Sequence, residues 1–253
     1  MSELRVRRSE DAGVVTIEVG DGSRRNALGV RDWRELRSVV GAAAHDPATS
    51  VIVLVGTGAT FSAGSDISEW ADAGPDDVDG SFAEMERCFR AVERAPVPVV
   101  AAVEGVAVGA GCQLALACDV VVMGETARMG MPIVRLGILP SPPFAARVCS
   151  RVGPALAADL YLTGRLLSGL EAAAVGLVAR VVSDGEALAQ ATELAWGIAD
   201  SPRVAVRAAK RAVHAVSRTD PDDVMPHEDT GSVDFAAFRP AVLHFLSAGR
   251  RSA

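Results

Sequence analysis

Two stretches of the chain carry residue types that packing alone does not call for. The first, Phe61 to Ile67 (FSAGSDI), follows an apolar run through GTGAT and strings Ser62, Ala63, Gly64 and Ser65 along one segment. Small side chains leave the main chain uncovered, so its N–H groups can approach a ligand closely. The same residues also read as an ordinary loop into a helix, with Ser65 or Asp66 as N-cap. The second stretch, Glu104 to Asp119 (EGVAVGAGCQLALACD), places Gly109, Ala110 and Gly111 ahead of an apolar helix. N–H groups in a first helical turn lack an intrahelical acceptor and lie at the positive end of the dipole, which suits an anionic oxygen. Two such sites, each after an apolar strand, are able to converge on one carbonyl oxygen and form an oxyanion hole from main chain. Gly105, Gly109 and Gly111 spell GxxxGxG, not the GxGxxG of a dinucleotide site, and neither they nor Gly56 and Gly58 lead into the GK[ST] of a phosphate loop.

The elements around these segments follow from hydrophobic periodicity. Val14 to Val19 reads as a strand, and Val30 to Ala44 as an amphipathic helix with Trp33, Leu36, Val39 and Val40 on one face. Val51 to Val55 is apolar without alternation, the mark of a strand covered on both faces and linked by crossovers. A helix over Ser81 to Arg94, strands at Val99 to Val103 and Asp119 to Met123, and a helix after Gly111 continue the rhythm. From about Gly153 the pattern turns helical: Pro154 to Leu162, Leu170 to Val175, Gly185 to Ala199, Pro202 to Val216 and Val233 to Leu246, with one strand at Leu177 to Val182. The expected organisation is an α/β core over residues 1–195 and a helical region over 196–253. Asp72 to Gly80 and Thr219 to Thr230 read as surface loops.

Composition narrows the classes. The chain has 253 residues, 49% apolar and 23% charged, enough for one large folded domain and unlike a disordered or disulfide-built chain. With 25 Lys and Arg against 32 Asp and Glu, the net charge of −7 offers no global field for nucleic acid or anionic lipid. Gly105 to Cys118 is too short to span a bilayer, and the N-terminus has no apolar signal region, so a cytoplasmic protein is expected. Cys88, Cys112, Cys118 and Cys149 lack CxxC spacing, and His45, His214, His227 and His244 are scattered. No metal site is expected.

FSAGSDI, then AAVEGVAVGAGCQLALACDVVV, MGMPIVRLGILP and VGPALAADLYLTGRLLSGLEAAAVGLVARVV, together resemble the enoyl-CoA hydratase/isomerase (crotonase) family over about residues 10 to 215. RRNAL, Arg24 to Leu28, matches that family's N-terminal motif, while Pro240 and Ala241 depart from its usual Glu-Gly. The resemblance implies a crotonase-like ββα spiral core with a C-terminal helical region, and a homotrimer or dimer of trimers. It implies a coenzyme A thioester as substrate or ligand, with no permanently bound cofactor. The thioester oxygen would be held by the backbone N–H groups of Ser65 and Ala110. The CoA moiety would run along Ala63, Ser65, Asp66, Ile67 and Ser68, with Arg24 and Arg25 toward its phosphates.

The resemblance also exposes what is replaced. Hydration of an enoyl thioester needs a group to activate water and one to deliver a proton, and the family's hydratases use two glutamates. The matching positions hold Gln113, which can orient water without taking its proton, and Ile133, which can do neither. Gln113 reads equally as an amide facing the thioester and as a satisfied core amide. A third acidic position used by some isomerases corresponds to Ser141, after Pro140, inside an SPPF segment that replaces a glycine-rich turn. Other sources of acid-base chemistry are Glu69, Asp72, Glu84 and Glu86, or Ser141 through a water. Glu84 and Glu86 read as solvated partners of Arg87, Arg90 and Arg94, Asp66 as an N-cap, and Asp119 as a turn residue. The favoured expectation is a non-standard hydratase/isomerase-type reaction through a thioester enolate. The alternatives are an acyl-CoA or acyl-carrier binding protein without chemistry, and another crotonase-type reaction such as thioester hydrolysis or decarboxylation.

Overall fold

A computed structural model describes residues 5–8, 13–71 and 73–217. The described residues fall into two compact units, one ending at Ala199 and the other beginning at Asp200.

The first unit is built from repeating turns of strand, short strand and helix. Strand β1 (Arg5–Arg8) pairs antiparallel with β2 (Val14–Val19). The first turn joins β2 to β3 (Ala27–Leu28) and α1 (Val30–His45); the second joins β4 (Val51–Gly56), β5 (Gly64–Ser65) and α2 (Pro75–Glu93). The third holds β6 (Val99–Val103), β7 (Val106–Val108) and α3 (Ala110–Ala117), and the fourth β8 (Val120–Gly124), β9 (Arg128–Gly130) and α4 (Pro142–Thr163). β10 (Leu166–Ser168), α5 (Gly169–Ala174), β11 (Arg180–Val182) and α6 (Ala187–Ala199) close the unit. The long strands make one sheet in the order β1-β2-β4-β6-β8-β11, parallel from β2 onward. The short strands make the sheets β10-β9-β7 and β3-β5. This is the expected ββα spiral.

β4 is buried along its whole length because both faces of the main sheet are covered. One face meets Trp33, Leu36 and Val40 of α1 and Met85, Phe89 and Val92 of α2. On the other, Val51, Val53, Val55, Val100 and Val122 pack under Ala187, Ala191 and Ala195, which recur every fourth residue along α6 and let that helix lie close. The second unit contributes α7 (Arg203–Ser217) to the described residues.

Three expectations need correction. Asp72 to Gly80 is not all loop: α2 starts at Pro75, with Gly74 as N-cap and Asp76 and Asp77 in the first turn. Proline at the first helical position sets φ without losing a bond, and acids there meet the dipole favourably, so the composition that suggests a loop in fact begins a helix. Helix also appears earlier than Gly153, because the SPPF segment opens α4 with Ser141 as N-cap and Pro142 and Pro143 in the first turn. Gly153, at φ 75°, interrupts that helix just before Pro154. The strand expected at Leu177 shortens to Arg180–Val182. Val233 to Leu246, Thr219 to Thr230, Asp72, His227 and His244 lie outside the described residues.

Asn26 fastens the first turn to the second. Arg24, Arg25 and Asn26 all have left-handed backbone. The Asn26 amide nitrogen donates to the carbonyls of Thr57 (3.0 Å), Thr60 (2.6 Å) and Phe61 (3.3 Å), and its oxygen accepts from Gly22 N–H at 2.7 Å. Replacing Asn26 by Ala leaves buried carbonyls without donors and forces alanine into a left-handed conformation. The expected loss is about 2–4 kcal/mol in urea unfolding. Asn26→Asp keeps the acceptor but turns a carboxylate oxygen toward the three carbonyls, and that repulsion should make it cost no less.

Candidate active site

The two small-residue segments are zipped together by main-chain bonds. Phe61 N–H donates to the Glu104 carbonyl and Ser62 N–H to the Val106 carbonyl, both at 2.9 Å, and Val108 N–H returns to the Ser62 carbonyl at 3.1 Å. Segment 61–65 therefore runs beside β7 to the first turn of α3. A Cβ on Gly64, which has φ 96°, would lie 2.6 Å from the Val108 carbonyl and 3.0 Å from Ala110 N, and one on Gly111 would lie 2.3 Å from the Ser62 carbonyl. Only glycine permits this approach. Ala110 is the first residue of α3, so its N–H has no acceptor within the helix.

Around this junction Ser65 turns its hydroxyl to Met85 Sδ, 2.8 Å away, leaving only its main chain for a ligand. Asp66 caps the 3-10 turn Ile67–Trp70 by accepting from Ser68 N–H, as expected. Burial opposes ionisation of Asp66, but the bonds from Ser68 and the charge of Arg24 outweigh it and hold its carboxyl below the usual range. Arg24 pairs with Asp66 and donates to Ser68 Oγ at 3.2 Å, which ties it across the Ser65 to Ser68 segment. Arg25 is exposed, as are Ile67 and Ser68, while Ala63 is partly buried. Ile133, 7% exposed, sits in the turn Pro132–Leu136 with its Cγ2 3.9 Å from where a Cβ on Gly109 would lie. It forms an apolar wall beside the start of α3. Ser141 is exposed at the head of α4.

Gln113 has the partners of a satisfied core amide and no exposed surface. Its nitrogen donates to the Phe144 carbonyl (3.1 Å) and the Tyr161 oxygen (3.2 Å), and its oxygen accepts from Arg147 Nη1 at 3.3 Å. Tyr161 in turn donates to the Phe144 carbonyl at 2.8 Å, and burial pushes its phenol pKa up, so it stays a neutral donor. Arg147 is 8% exposed, lies over the Phe89 ring, and binds Glu86 (2.8 Å) and Glu93 (2.6 Å). Burial works against the Arg147 charge, and the two carboxylates overcome it. The network ties α2, α3 and α4 together beneath the junction.

Among the other acid-base sources, Glu69, Glu84 and Glu86 are engaged. Glu84 is buried and faces Arg34, Arg37 and Arg87, and Glu86 binds Arg90 as well as Arg147, so neither is the solvated surface group expected. Their helix faces α1 and α4 instead of water, which a count of charges cannot register. Glu69 accepts from Val30 N–H at 3.0 Å and caps α1, and Asp119 accepts from Val99 N–H at 2.7 Å. Burial raises the thiols of Cys88 and Cys112 to about 12, so both remain protonated. Trp70 stacks on Phe82, which leans toward Phe144, extending an aromatic row from the Ser65 to Ser68 segment to the core. Sequence reasoning missed Arg147 and Tyr161. The signal available was a cation three residues after Phe144 with Ala145, Ala146 and Val148 around it.

The comparisons agree with this architecture. The sequence model described as enoyl-CoA hydratase/isomerase matches residues 9–231. The chain is 41% identical over 189 residues to the "Probable enoyl-CoA hydratase" of Rhizobium meliloti, covering 75% of this chain and 73% of that protein. It is 36% identical over 214 residues to the 2,3-dehydroadipyl-CoA hydratase of Escherichia coli, covering 84% and 82%. The crystal structure of enoyl-CoA hydratase from Bacillus anthracis superposes with a TM-score of 0.83 at 29% identity, over 98% of this chain and 96% of that one. The chain belongs to the enoyl-CoA hydratase/isomerase family. Among the described residues, no helix is long and apolar enough to cross a membrane.

Glutamate at position 113 would set a carboxylate against the Phe144 carbonyl and the Tyr161 oxygen, with Arg147 already shared by two acids. Burial would raise the pKa of that carboxyl above its unfolded value, so the penalty is absent below about pH 4 and grows as pH rises. Gln113→Glu is expected to cost about 1–3 kcal/mol at pH 8 and less at pH 5 in urea unfolding. It should give no hydration of crotonyl-CoA.

Proposed function

We propose that the protein binds acyl-CoA thioesters and stabilises the thioester enolate with the main-chain N–H groups of Ser65 and Ala110. The observation that carries this reading is the pairing of segment 61–65 with β7, which delivers Gly64 to within contact of the first N–H groups of α3. Donors fixed in a folded backbone cost no reorganisation when charge moves onto the thioester oxygen. The CoA moiety follows Ala63, Ser65, Asp66, Ile67 and Ser68. Arg25 and, once shared with Asp66, Arg24 meet its phosphates. CoA enters as part of the substrate and not as a resident cofactor.

Gln113 and Ile133 hold the positions where hydratases carry their two glutamates, so the reaction is of a non-standard hydratase/isomerase type. The engagement of Gln113 by Phe144, Tyr161 and Arg147 also favours a second reading, an acyl-CoA binding protein without turnover. The same proposal includes a cytoplasmic homotrimer or dimer of trimers, to be read by light scattering.

Ala110→Pro tests the hole cleanly. Proline is tolerated at the first position of a helix, so the variant should fold while losing one donor. The expected result is at least about tenfold weaker binding of butyryl-CoA by calorimetry, or turnover lower by about 100-fold or more where a substrate is turned over. Free CoA, which has no thioester oxygen, should bind both proteins alike. Unchanged butyryl-CoA affinity and turnover in the folded variant would remove Ala110 from the site.

A further inference from the structure

We infer that the seam between α1 and α2 binds a phosphate monoester group, held by Arg34, Arg37 and Arg87. Arg34 and Arg37 stand three residues apart, hence on one side of α1, and Arg87 faces them from α2. All three guanidinium groups approach a single carboxylate, Glu84, at 3.4, 3.7 and 2.7 Å. The site lies apart from the proposed thioester contacts, so its failure would leave that reading standing.

The carboxylate does not satisfy the arginines around it. Arg87 donates a hydrogen bond to Glu84 Oε1, whereas Arg34 and Arg37 meet Glu84 by charge alone, and Glu84 Oε2 accepts no hydrogen bond among the described residues. The donors of Arg34 and Arg37 are therefore available. Three positive charges against one negative leave a surplus of two, in a chain whose net charge is −7. Neighbouring acids do not make it up. Glu86 and Glu93 are held by Arg90 and Arg147, Asp32 accepts from Gly29 N–H at 2.8 Å, and Glu35 already has a partner.

A phosphate monoester carries about 1.5 to 2 negative charges at pH 7, which matches the surplus, and its oxygens accept from guanidinium forks in pairs. A carboxylate ligand would answer only half of it. Beneath the seam, the fully buried rings of Trp33 and Phe89 meet edge to face with centroids 5.4 Å apart. They fix the spacing of α1 and α2, so little ordering is left for the ligand to impose. Glu84 is buried, but the three arginine side chains are 57%, 43% and 55% exposed, so the anion keeps part of its hydration. The group comes from a free monoester or from the 3′-phosphate of a CoA ester, since α1 begins where Val30 N–H meets Glu69.

The test titrates the full chain with inorganic phosphate at pH 8 by calorimetry, with ionic strength matched by chloride. The expected result is saturable binding of one phosphate per chain. Arg34→Gln and Arg37→Gln should each weaken it about fivefold and together remove it. Arg37→Lys, which keeps the charge and loses the fork, should fall between the parent and Arg37→Gln. Arg180→Gln, at an exposed arginine of β11, should leave binding unchanged. Absence of saturable binding, or a double variant that is folded by circular dichroism and binds phosphate as the parent does, overturns the inference. Butyryl-CoA and its 3′-dephospho form then separate the sources. If a free monoester is the ligand, Arg34→Gln changes neither affinity. If the substrate's own phosphate is the ligand, that variant binds butyryl-CoA only as well as the dephospho form. Either result keeps the site and names what fills it.

Discussion

The structure depends on one close approach of main chain to main chain. Segment 61–65 lies against β7 and the head of α3 with no side chain between them at Gly64 and Gly111. Three backbone hydrogen bonds hold it there. Because donors and acceptors on both sides are satisfied by each other, the segment cannot drift without exposing buried polar groups. The first turn of α3, whose N–H groups no helix can satisfy, is left at the edge of that contact.

The surrounding turns of the spiral serve this approach. Each turn sends one strand to the main sheet and one to a small sheet, and Ser62, just ahead of β5, bridges to Ala107 of β7. Asn26 binds the loop between β4 and β5 from the first turn, through three carbonyls. On the far side, Arg147 and Gln113 tie α2, α3 and α4 together with buried charge and amide bonds. A carboxylate at position 113 suits a site that moves protons. An amide with every group paired suits a floor that holds still.

Much of this was legible in the sequence, for identifiable reasons. Val14 to Val19 and Val99 to Val103 fall where apolar, β-branched runs place them, because a buried parallel strand needs little else. Both small-residue segments are visible, since glycine in such positions has few other uses, and the motif order carries the family. Pro75 and Pro142 misled because proline serves equally in a loop and at the first position of a helix; whether a helix follows is decided by the packing of Met85, Phe89 and Phe144 further along.

What the sequence determined by itself is the alternation of strands and helices, the two uncovered backbone segments, and the identity of the residues at 113 and 133. What only the tertiary structure decided is who faces whom. Glu84 and Glu86 have the spacing of surface partners, yet Arg34 and Arg37 come from α1 and Arg147 from α4, elements far away along the chain. Gln113 could have faced a ligand until Tyr161 and the Phe144 carbonyl, 48 and 31 residues distant, claimed its amide. Local pattern records which face of a helix is apolar. The partner of a buried polar group is chosen by the fold, because the cost of leaving it unpaired is settled in three dimensions.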